Sequence, residues 1–99
     1  MIVSDQETAF KIIASMYSAA MNKVSIITNF TQDKGTCGYA FVRIPKDEVV
    51  LISALGGVSK IHASAGGYQS LHHKEAVAQC MADTLKSHGV NATVDSWMD

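Results

Sequence analysis

The chain has 99 residues, with eight Lys plus Arg against nine Asp plus Glu, a formal charge of −1 and a hydrophobic share of 47 %. Such a length supports a single hydrophobic core, so residues 1–99 are read as one domain. The charge balance excludes a generally basic nucleic-acid binder and an acidic disordered tail, and no apolar run approaches the roughly 18 residues of a membrane span. The N-terminus lacks the basic-then-apolar layout of an export signal, so a cytoplasmic protein is expected.

Ser4-Asp5-Gln6-Glu7 has the form of a capping box, in which the Ser4 hydroxyl accepts the Glu7 backbone N–H and the Glu7 carboxylate reaches back. Phe10, Ile13, Met16, Tyr17, Ala20 and Met21 then recur at three- and four-residue spacing as one buried face. They predict a first helix from Asp5 to Met21, with Asn22 as its stop. From Lys23 the period changes to two. Val24, Ile26, Thr28 and Phe30 alternate with Ser25, Ile27 and Asn29, and this β-branched run predicts a strand. Gln32 to Thr36 reads as a hairpin turn in which Gly35 supplies a positive φ. The return strand runs from Cys37 to Ile44, with Tyr39, Phe41 and Arg43 on one face and Ala40, Val42 and Ile44 on the other. Pro45-Lys46-Asp47 is a second turn, and Glu48 to Leu55, apolar on both faces, reads as a third strand central in the sheet.

Gly56-Gly57 predicts a two-residue hairpin leading into a fourth strand, Val58 to Ser64. After a connector from Ala65 to Gln69, Ser70 is expected to cap a second helix, Leu71 to His88. Its Val77, Cys80, Met81, Thr84 and Leu85 share a face, and Gly89 with Val90 closes it as a Schellman motif. Asn91 to Met98 alternates again and reads as a terminal strand. The order α-β-β-β-(β)-α-β implies an α+β fold. The expected form is a two-layer sandwich, with a mainly antiparallel sheet of 4-5 strands and both helices on one face.

The stretch from Gly56 to Lys74 gathers Lys60, His62, His72, His73 and Lys74, with no carboxylate before Glu75. Three of these sit in the first turn of the second helix, where unpaired backbone N–H groups and the Ser64 and Ser70 hydroxyls attract anions. Lys60, His62, Ser70, His72, His73 and Lys74 are therefore the candidate anion or partner site.

With a helix and three strands before it, Gly66-Gly67-Tyr68-Gln69-Ser70-Leu71-His72-His73-Lys74-Glu75-Ala76 resembles the double-stranded-RNA-binding domain, and Cys80, Met81, Ala82 and Leu85 are similar to its alanine-rich helix. The resemblance implies phosphate contacts from the basic residues at this helix start. That family's first-hairpin motif, Gly-Pro and then His, has no counterpart between Thr31 and Gly38. The overall acidity also opposes an affinity built from several Lys and Arg contacts. Binding of nucleic acid or a phosphate ligand is therefore the alternative reading.

Cys37 and Cys80 lack CxxC spacing and read as structural thiols. His72 and His73, adjacent on a helix, point about 100° apart and cannot grip one ion as an i, i+4 pair does, so neither metal nor cofactor is expected. No Gly-x-Ser-x-Gly elbow, phosphate loop or dinucleotide fingerprint is present, and an enzyme is not expected. What remains is a small module acting by protein–protein contact. In size and style it is similar to phage-encoded inhibitors of nucleoprotein complexes such as anti-CRISPR proteins, an analogy without residue-level support. An open edge strand would also allow a homodimer. Tyr39, Tyr68 and Trp97 are the expected interface anchors, and Phe41 is expected in the core.

Overall fold

A computed structural model describes residues 2–30, 32–33, 35–67 and 70–98. The first helix, α1 (Gln6–Phe30), starts where the Asp5 carboxylate accepts the Thr8 backbone N–H at 3.0 Å, so the cap is Asp5 and not the expected Ser4. It does not stop at Asn22 but runs through the whole segment predicted as a strand. The reason lies in packing. Ala9, Ile12, Met16, Ala20 and Ile27 form one buried stripe at helical spacing that crosses the supposed boundary, and Val24 packs beside it. That continuous stripe outweighs the β-preference of the local residues. Phe10, Tyr17 and Met21, expected on the buried face, are exposed.

β1 (Gly38–Arg43) matches the predicted return strand, but the next apolar run does not form a strand. The Glu48 N–H bonds the Pro45 carbonyl at 3.0 Å, and Val49–Ala54 then form a short helix, α2. Leu51 is buried while Val49 is exposed, a one-sided pattern that a central strand would not show. Glu48 is itself buried, and its Oε1 accepts the Val3 backbone N–H at 2.8 Å, tying the first residues over α2. Gly56 and Gly57 have φ of 83° and 89°, the left-handed values anticipated for a hairpin. Their N–H groups, however, bond the carbonyls of Ser53 and Ile52 at 3.0 and 2.9 Å, so the pair terminates α2.

β2 (Lys60–His62), α3 (Leu71–Ser87) and β3 (Thr93–Met98) lie inside the segments predicted for them. α3 ends as expected, with Gly89 at φ 85° and the Val90 N–H on the Leu85 carbonyl at 3.0 Å. The order is thus α1-β1-α2-β2-α3-β3, a mixed α+β chain whose described sheet has three antiparallel strands in the order β2-β1-β3. The expected 4-5 strands are reduced because residues 23–30 and 49–54 are helical. The helix–three-strand–helix order implied by the double-stranded-RNA-binding resemblance is likewise not followed, since α2 divides β1 from β2 and β3 comes after α3.

Register fixes the two faces of the sheet. Phe41 faces His62 and Asp95, Tyr39 faces Trp97, and Arg43 faces Lys60 and Thr93. The alternate residues Ala40, Val42 and Ile61 join the main core with Val77, Met81 and Leu85 of α3. α3 makes the close approach to β1 and β3, and α1 packs against α3 and α2. Gly38 permits that approach. A Cβ there would stand 2.6 Å from the Trp97 carbonyl oxygen and 3.0 Å from Leu71 Cδ1. Among the described residues, no helix is long and apolar enough to cross a membrane.

Candidate binding surface on the open sheet face

At the start of α3, two backbone N–H groups are met from within the chain. Asp33 Oδ1 accepts the Ser70 backbone N–H at 3.0 Å, and the Thr36 carbonyl accepts the Leu71 N–H at 2.7 Å. A carboxylate and a carbonyl thus meet the positive end of the helix dipole. Ser70 occupies the cap position without acting through its side chain: its Oγ is buried and has no hydrogen-bond partner among the described residues. His73 is buried and His72 exposed, their ring centroids 6.0 Å apart. Tyr68 lies outside the described residues.

The remaining candidates gather elsewhere. Lys60 and His62 on β2, Tyr39, Phe41 and Arg43 on β1, and Thr93, Asp95 and Trp97 on β3 share the outer face of the sheet. Phe41 is at the centre with 0 % exposure, buried as expected but on the side away from the main core. The Trp97 ring meets it edge-on at 5.0 Å, and the His62 ring lies at 5.5 Å. Lys60 Nζ stands 4.1 Å from the Phe41 centroid and 5.3 Å from that of Trp97. At the rim, Lys74 reaches back from α3, donates to the Gly38 carbonyl at 2.9 Å and sits 5.3 Å from the Tyr39 ring centroid. Each such ammonium–ring contact contributes about 0.5–1 kcal/mol at an exposed site, enough to favour one arrangement of the side chains.

Arg43 completes the face differently. Its Nε and Nη2 both donate to Asp95 Oδ2, at 3.0 and 2.9 Å, so its charge is locally balanced. Trp97 and Tyr39 remain 48 % and 44 % exposed above the buried Phe41. Among the described residues no helix covers this face. The sequence showed that Tyr39, Phe41 and Arg43 share a side, but Arg43 and Asp95 were not singled out, because the strand register that pairs them has no local signal.

The rest of the molecule offers less chemistry. Cys37 is exposed, and the half-buried Cys80 thiol lies 3.6 Å from the Ala19 carbonyl oxygen. Among the described residues, no three His, Cys, Asp or Glu side chains gather as metal ligands. No known protein family, curated protein or solved structure matches the chain.

Proposed function

We propose that the chain is a non-enzymatic cytoplasmic module that docks onto a protein partner through the outer face of its sheet, acting as an inhibitor of that partner. One observation carries this reading. Trp97, Tyr39 and Arg43, the residue types that dominate interface hot spots, stand together on a sheet face left open among the described residues. Phe41 beneath them limits how far the Trp97 ring can move, so anchoring a partner there costs little side-chain entropy.

The test uses the full chain as immobilised bait for an extract of its native host. Trp97→Ala and Tyr39→Ala are compared with Ser18→Ala on the exposed side of α1. A discrete protein captured by the wild type and by Ser18→Ala, and lost with both aromatic variants, is the expected result. Capture that survives the aromatic substitutions, or no specific capture, overturns the reading.

A further inference from the structure

We infer that the part of the partner received by this face is an acidic, extended protein segment, an assignment that rests on the binding reading above. The charge is unevenly distributed. The chain as a whole carries −1, yet among the described residues the face and its rim hold Arg43, Lys60 and Lys74 against the one carboxylate of Asp95. By sequence, the remaining charged residues therefore have an acidic balance. Because Arg43 is taken up by Asp95, the cations on offer are Lys60 and Lys74, and neither has a carboxylate within ion-pair distance among the described residues.

Both ammonium groups are held on aromatic rings, Lys60 over Phe41 and Trp97 and Lys74 over Tyr39. An ammonium so placed keeps N–H donors for an incoming anion while its stem lies on apolar surface. The rings beneath them, Phe41 and Tyr39, are two residues apart on β1, a rise of about 7 Å. An extended segment laid along β1 passes both rings in turn, so carboxylates spaced along it meet the two lysines one after the other.

A single-stranded nucleic acid fits less well. Its affinity is built from several phosphate contacts, and the uncompensated cations on offer at this face are Lys60 and Lys74. A long polyanion also meets repulsion from the acidic remainder of the chain, which a short local run of carboxylates largely avoids.

Trp97 is the only tryptophan, so its emission reports directly on this face. The full chain is titrated with a short peptide alternating Glu with Val, with the same peptide carrying Lys for Glu, and with oligothymidylate, each at low and high salt. The Glu peptide is expected to change Trp97 emission saturably and to bind several-fold more weakly at high salt. Lys60→Gln and Lys74→Gln, which keep most of the stem and leave the circular dichroism unchanged, each weaken it about threefold, the scale of a partly exposed ion pair. Equal binding of the Lys peptide, no response to the Glu peptide at low salt, or tighter binding of oligothymidylate overturns the assignment. The two readings fail separately. Host-partner capture that depends on Trp97 but ignores both Lys variants removes the acidic segment alone, whereas capture indifferent to Trp97 removes the binding face itself.

Discussion

The Asp33 carboxylate accepts the Ser70 backbone N–H at 3.0 Å, joining the loop before β1 to the start of α3. A carboxylate from the chain itself therefore meets the cap N–H of this helix. Asp33→Ala should lower the unfolding free energy by about 1–2 kcal/mol, as for loss of a helix cap, and Asp33→Asn by less because an acceptor remains. Urea denaturation of the three proteins checks this, and an unchanged midpoint in Asp33→Ala would show that the carboxylate does not cap α3.

Ser70 gives the opposite expectation. Its hydroxyl is buried and has no hydrogen-bond partner among the described residues, so removing it leaves no acceptor or donor newly stranded. Ser70→Ala should be neutral or stabilising by up to about 1 kcal/mol, in contrast to the usual loss at a helix cap. A clear drop in the urea midpoint would mean that the hydroxyl is bonded after all.

Two glycines separate close packing from free space. Gly38→Ala pushes a Cβ against the Trp97 carbonyl and Leu71 and should destabilise by about 1–3 kcal/mol, with a change in tryptophan emission. Gly67 has nothing within 4 Å of the same position among the described residues, and its φ is not positive. Gly67→Ala should therefore leave stability unchanged or raise it by about 0.4–1 kcal/mol, chiefly by restricting the unfolded chain. Thermal melts of both variants distinguish the two sites.

Phe41 supports the aromatic face from below. Phe41→Ala should cost about 3 kcal/mol and move Trp97 emission toward that of a solvated indole, while Phe41→Leu should cost about 1 kcal/mol. Chemical denaturation gives the energies, and the emission maximum of the native protein gives the environment of Trp97. An unchanged maximum in Phe41→Ala would show that Phe41 does not set the ring's surroundings.

Asp5 links stability to acid. The Thr8 hydroxyl and then the Thr8 backbone N–H hold its carboxyl below the ordinary value of 3.8. A carboxyl lowered in the folded state stabilises above its unfolded value, and that contribution disappears as pH falls through the lower folded value. Asp5→Ala should therefore melt below wild type near neutral pH, with the two melting temperatures converging once pH drops below 3.8. A pH series of melting temperatures tests the sign, and a gap that widens in acid contradicts it.

The elements that sequence reading located are those with two agreeing signals. α3 has a helical apolar face and Gly89 at its end, and β1 has an apolar, β-forming run bounded by the turn residues Gly35 and Pro45. Val24 to Thr28 alternates over a short β-branched stretch and Val49 to Ile52 is a β-branched apolar run, and neither pattern distinguishes a strand from a buried helix. Distant residues decide those segments: Ile27 enters the core beneath the other elements, and Glu48 turns inward to meet Val3. The candidate site was legible to the same degree. Tyr39, Lys60, His62, Lys74 and Trp97 were each picked by residue type, but bringing them together depends on the β2-β1-β3 register, which no stretch of sequence encodes locally.

β1 is the first strand in the chain and the middle one in the sheet, whereas its six-residue neighbour β3 is the last element, with α2, β2 and α3 in between. Pairings across such a separation must close a long loop before any hydrogen bond is gained, so maturation of the sheet should be the slow phase of refolding. Until β3 docks, β1 presents a bare hydrogen-bonding edge beside Phe41, and a chain truncated before Thr93 keeps that edge as a seed for aggregation.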